Sequence, residues 1–112
     1  MPKRTRDYHE ELLKDLQDPT EAAHYLNAAL EDSEDMLLVA LRDVAEAYHM
    51  STVAEQAGVA RETLYRMLSK KGNPTYSNLQ GVLKAVNLGL QVVPALEKSS
   101  PPEPDDVGNV GG

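Results

Sequence analysis

Met50-Ser51-Thr52-Val53-Ala54-Glu55-Gln56-Ala57-Gly58-Val59-Ala60-Arg61-Glu62-Thr63-Leu64-Tyr65-Arg66-Met67-Leu68-Ser69 is the stretch on which the fold turns. Apolar residues recur at helical spacing on both sides of Gly58, which predicts two short helices, 51–57 and 61–69. Two short helices can cross steeply only if the first offers a small residue to the second; Ala54 is that residue. Four places later the turn needs a residue that tolerates positive φ, and Gly58 supplies it. Val53, Ala57, Val59, Leu64 and Met67 then lie under the joint. Ser51 is expected to cap the first helix, whereas the second begins at Ala60, a poor cap that forgoes about 1 kcal/mol. Ala-x-x-x-Gly alone is common to many helix pairs. Seven positions fitting together predict a helix-turn-helix at about residues 50–69.

Downstream, Lys71-Gly72-Asn73-Pro74 stops the second helix, Gly72 by permitting a left-handed turn and Pro74 by refusing further helix. Residues 77–86 read as another helix, with Leu79, Val82, Leu83 and Val86 inward. Leu88-Gly89-Leu90-Gln91-Val92-Val93 has the alternation and β-branching of a short extended segment. It serves either as a dimer element or as a flap folded back on its own core.

Upstream, Asp18-Pro19-Thr20-Glu21 is a helix start: Asp18 accepts from free amides, Pro19 fits the first position, and Glu21 stands where a capping-box acid belongs. Ala22, Ala23, Tyr25, Leu26, Ala29 and Leu30 form its apolar stripe. The run Glu31-Asp32-Ser33-Glu34-Asp35 breaks that helix and caps the next at Ser33. Leu37, Leu41, Val44, Ala45 and Tyr48 mark one face of this third helix. Tyr8, Leu12, Leu13 and Leu16 suggest a short helix over 7–16. The organisation expected is a flexible basic end (1–6), a helical DNA-binding domain (7–96) and a disordered acidic tail rich in Pro and Gly (97–112).

The fold class expected is all-α: a small domain of five to six helices with a helix-turn-helix and a short C-terminal extended segment. Apolar residues make up 41% of the 112, but Phe and Trp are absent, so Leu, Val, Ala, Met and Tyr must build the core. No apolar run approaches the roughly 20 residues of a membrane span, and no secretory pattern follows the basic start. With no cysteine, disulfides and thiolate metal sites are excluded, which is compatible with a reducing cytoplasm. His9, His24 and His49 are scattered, the carboxylates fall at helix starts and solvated faces, and no phosphate-binding glycine loop is present. The expectation is therefore no enzyme, no metal and no cofactor.

Net charge is −7, which at first argues against a nucleic-acid binder. Its distribution argues otherwise. Between residues 51 and 84, Arg61, Arg66, Lys70, Lys71 and Lys84 face only Glu55 and Glu62, a local +3 that leaves −10 for the remainder. One basic face on an acidic body suits DNA at that face and a basic partner elsewhere, although an acidic surface is also simply a solvated one.

The second short helix would carry the recognition, its N-terminal part entering the major groove. Arg61 and Arg66 can fork onto the O6/N7 edge of guanine or grip phosphate; Glu62 can accept from cytosine N4, and Thr63 can offer a methyl to thymine. Tyr65 can bond a phosphate or pack at the edge, and Lys70 and Lys71 suit phosphates. On the first helix Ser51, Thr52 and Gln56 can hydrogen-bond the DNA backbone. Each is equally explicable as a solvated side chain, least so Arg61 and Arg66. A single module buries little surface, so a homodimer reading two half-sites is expected.

Asp18-Pro19-x-x-Ala22-x-x-Tyr25-Leu26-Asn27-Ala28-Ala29-Leu30 and Ala40-Leu41-Arg42-Asp43-Val44-Ala45 resemble the addiction-module antidote proteins of bacteria, HigA-like antitoxins of the Xre/Cro-type class. The stretch from Met50 to the Gly72-Asn73-Pro74 triplet is similar to that group's most recognisable run. Ala60, where the group often has Ser, and the acidic Pro-rich tail depart from it. The resemblance implies a small basic toxin of the RelE/ParE-like class as partner, neutralised by direct binding, and repression of the chain's own operon through double-stranded operator DNA. Two other binding roles stay open: a stand-alone helix-turn-helix transcriptional regulator without a toxin, and an interaction module that has lost DNA affinity.

Overall fold

The computed structural model describes residues 2–95. They form six helices and no strand: α1 (Pro2–Asp15), α2 (Pro19–Asp32), α3 (Glu34–Ala47), α4 (Met50–Ala57), α5 (Arg61–Met67) and α6 (Tyr76–Ala85). The all-α class expected from composition and periodicity is the one observed.

Local chemistry sets most boundaries. Asp18 accepts from the Thr20 amide at 3.0 Å, with Pro19 opening α2. No capping box closes there, because the Asp18 amide instead donates to Asp15 O at 3.1 Å. Ser33 serves two helices at once. Its amide donates to Ala29 O at the end of α2, and its hydroxyl accepts from the Met36 amide at the start of α3. Thr75 caps α6 by accepting from the Asn78 amide at 3.1 Å, so that helix begins at Tyr76 rather than Ser77. At the other end of the chain α1 starts at Pro2, several residues before the Asp7 that the apolar spacing indicated. The acidic tail at 97–112 lies outside the described residues.

The helices assemble around α3 and α4. The α3 helix packs against α1, α2 and α4, and α4 packs in turn against α5 and α6. Leu16, Leu41, Val44, Val53, Leu64, Leu68, Val82 and Val86 are wholly enclosed, so every helix or its flank contributes to one core. Among the described residues that core contains no buried polar residue. Polar ties lie at its margin: Tyr48 Oη donates to Gln17 O at 2.8 Å and Gln17 Nε2 to Ala47 O at 3.2 Å, fastening the α1–α2 link to the end of α3. Tyr25 Oη donates to Asp43 Oδ2 at 2.6 Å and clasps α2 to α3. Burial first, and this carboxylate second, raise the Tyr25 hydroxyl well above its ordinary pKa of 10.0.

The segment expected to be extended has a different fate. Asn87 turns into the left-handed region (φ 65°), and Leu88 N returns to Leu83 O at 2.8 Å, closing α6. Leu88 packs on the core, but Val92 and Val93 do not fold back: they are 96% and 49% exposed. Among the described residues no strand forms, and none lies alongside this segment to pair with it.

Candidate nucleic-acid interface

The two short helices meet as their spacing required. Gly58 takes φ 77° and ψ 29°, its amide donating to Glu55 O at 3.2 Å and the Val59 amide to Ala54 O at 3.0 Å. This paired 5→2 and 6→1 closure needs a left-handed residue, which glycine adopts without steric cost. Val53, Ala54, Leu64 and Met67 are buried under the joint, with Ala57 and Val59 half-buried beside them. As anticipated, Ala60 precedes α5 without any side-chain cap.

Two local expectations are corrected. Ser51 does not cap α4, which begins one residue earlier at Met50. The residue before it, His49, makes no side-chain cap and holds φ 72°, while its carbonyl accepts from Val53 N at 3.1 Å. A histidine forced into positive φ lets the chain turn sharply from α3 into α4, and the apolar seating of Met50 and Val53 holds it there. Gly72, in turn, is not left-handed; among the described glycines only Gly58 is. A Cβ at position 72 would lie 2.7 Å from the Met67 carbonyl carbon, so glycine is needed for close approach as the chain doubles back past the end of α5.

None of the residues expected to contact a ligand is buried. Arg61, Glu62 and Arg66 of α5 are exposed, and Thr63 and Tyr65 are half-buried. Ser51, Thr52 and Gln56 of α4 are exposed, as are Lys70 and Lys71 in the following turn. Thr63, Arg66, Ser69 and Lys71 border one shallow groove with Gly72 and Asn73. Since capping does not engage Ser51, its hydroxyl is available at the mouth of α4.

Tyr65 is the best-anchored member of the set. The Arg61 guanidinium lies 5.4 Å from its ring centroid, with Nη2 donating to Tyr65 Oη at 3.5 Å. The guanidinium of Arg42, from α3, lies over the same ring at 5.1 Å. Arg42 Nε also stands 3.6 Å from Glu46 Oε2, and Glu46 Oε1 stands 3.7 Å from His9 Nε2 of α1. Exposed ion pairs of this length contribute little to stability, but cation–π stacking orients both arginines around one ring. Sequence reasoning missed Arg42 here. It lies 23 positions before Tyr65, on a helix where it reads as an ordinary solvated cation. Only the packing of α3 and α4 brings it to the edge of α5.

This arrangement can present flexible cations and hydrogen-bonding groups to a polyanion. Among the described residues no three His, Asp or Glu come together as a metal site. No described helix is long and apolar enough to cross a membrane.

An uncharacterized protein of Haemophilus influenzae is 49% identical over 69 residues, covering 61% of this chain and 71% of that protein. No solved structure matches the chain. Residues 8–94 match the family described as "Probable addiction module antidote protein", a span that takes in the core and the whole exposed face of α4 and α5. The chain belongs to that family of addiction-module antidotes.

Proposed function

We propose that the protein is the antitoxin of a type II toxin–antitoxin module, of the HigA-like, Xre/Cro-type class, acting in the cytoplasm. It neutralises a small basic RelE/ParE-like toxin by direct binding, and it represses its own operon by binding operator DNA through a helix-turn-helix made of α4 and α5. The antidote half of this proposal rests on the family match, since an antidote implies a toxin. A body carrying −10 outside residues 51–84 supports a basic partner.

The observation that carries the DNA half is the left-handed closure at Gly58, beside which α5 exposes Arg61, Glu62 and Arg66. In this proposal α5 lies in the major groove. Arg61 and Arg66 read base edges, Glu62 and Thr63 add cytosine and thymine contacts, and Tyr65 packs at the groove edge. Ser51, Thr52, Gln56, Lys70 and Lys71 hold phosphates, joined by Arg42. Two copies bind as a homodimer on paired half-sites. Neither half calls for a catalytic group, metal or cofactor.

Co-expression with the product of the neighbouring gene tests the proposal. A co-purifying complex and loss of that product's toxicity are expected. Specific binding to upstream DNA with no toxin to neutralise would instead make the protein a stand-alone regulator.

A further inference from the structure

Where α2, α3 and α6 converge, Leu26, Leu30, Leu37, Leu79 and Leu83 line an open groove of about 130 Å³, with Leu90 at its rim. No residue lining it is charged. Leu30 is 40% and Leu90 49% exposed, and the chain beyond Leu90 leaves the groove rather than filling it. That departing strap, Gln91-Val92-Val93-Pro94, is also without charge. The backbone of residues 90–93 makes no hydrogen bond to another described residue. Thus an unfilled apolar groove and an unpaired apolar strap lie side by side on one face of one chain.

We infer that this face binds a second copy of the chain, the strap of each protomer lying in the leucine groove of the other. A two-fold interface must be self-complementary, and a patch that contains both the groove and a segment fitted to it meets that condition. Tethering at Leu88 and Leu90 keeps the strap out of its own groove, whereas a two-fold partner presents the same residues from the opposite direction. Antiparallel approach of two straps also pairs their free amides and carbonyls.

Other occupants fit less well. A basic partner would be drawn to the carboxylates of a −7 chain, and this groove has none. The chain's own 97–112 segment has two branched apolar side chains, Val107 and Val110, among Glu97, Glu103, Asp105 and Asp106. This inference rests on the homodimer in the proposed function and supplies its interface.

The full chain, free of native cysteine, makes the test direct. Protein carrying Leu30→Cys is mixed with protein carrying Val92→Cys or Val93→Cys and oxidised. A mixed disulfide dimer is expected from at least one pairing; none from either would overturn the inference. Sedimentation gives the second arm. The wild type should be a dimer at micromolar concentration and Val92→Asp a monomer with unchanged helical circular dichroism, because Val92 supports nothing within its own fold. Operator affinity should then fall about a hundredfold, as linked binding becomes independent. A wild-type monomer, or a Val92→Asp dimer, overturns the inference. So does a wild type that dimerises only after removal of 97–112, which would make its own tail the occupant, or a Val92→Asp protein that stays dimeric but no longer holds the toxin. A cross-linked dimer with no affinity for upstream DNA would leave this interface standing and sink the DNA half of the proposed function.

Discussion

Gly58 and Gly72 are both glycines for backbone reasons, but the reasons differ. At φ 77° any other residue strains the chain, so Gly58→Ala should lower stability by about 1 kcal/mol, visible as a lower urea midpoint with unchanged slope. Gly72→Ala drives a methyl into the Met67 carbonyl and should cost about 1–3 kcal/mol in the same assay, loosening the turn that bears Lys70 and Lys71. In the proposed function Arg61 and Arg66 differ from the lysines, reading base edges where the lysines hold phosphates. Arg61→Ala should relax preference at one base position by about 1–3 kcal/mol, whereas Lys70→Ala should weaken all sequences alike; competition between operator and random duplex separates the two. Equal loss on both DNAs for Arg61→Ala would contradict its role in base reading. Arg42→Ala tests a residue found only through the fold. With its stack on Tyr65 removed, operator affinity should fall while thermal stability barely changes.

At the scale of the elements, small polar side chains punctuate the chain, and one of them joins helix to helix. Ser33 ends α2 and begins α3, so Ser33→Ala removes the hydroxyl bond to Met36 and should cost about 1 kcal/mol by chemical denaturation. The Tyr25–Asp43 clasp binds the same two helices from the side. Because the folded state raises the Tyr25 pKa above 10.0, the clasp's contribution is complete below that pH. It declines as pH climbs toward the folded value, since the unfolded tyrosine ionises first. The wild type should therefore lose stability above about pH 10 more steeply than Tyr25→Phe, and parallel curves for the two would contradict the clasp's role. The interiors of α2, α3 and α4 were legible because their apolar stripes repeat at helical period. The start of α4 was not. Ser51 is the better cap by residue type, but a turn through His49 is set by how Met50 and Val53 seat in the core, which no local preference encodes.

For the molecule as a whole, the all-α class and the joint at Gly58 follow from spacing alone. What spacing could not supply was the relation between distant elements. Arg42 meets Tyr65 because α3 crosses beside α4, and the leucine groove exists because α2, α3 and α6 converge without filling the space between them. The strap showed the same limit. Its alternating residues were compatible with a flap or a strand, and its exposure in the folded chain is what singles it out. An acidic body, the exposed cations Arg61, Arg66, Lys70 and Lys71, and an uncharged groove are three chemically distinct features of one small chain, which the proposals assign to a toxin, an operator and a second copy.

The claim on which this account depends is that the α4–α5 face binds DNA. The direct measurement is the affinity of the full chain for its own upstream duplex at several salt concentrations, with Lys70→Ala and Lys71→Ala alongside. The wild type should bind the duplex more tightly than random DNA, with affinity falling steeply as salt rises, and each lysine removed should reduce the slope by about one. Absence of specific binding at low salt, or a salt slope that neither substitution changes, would contradict the account.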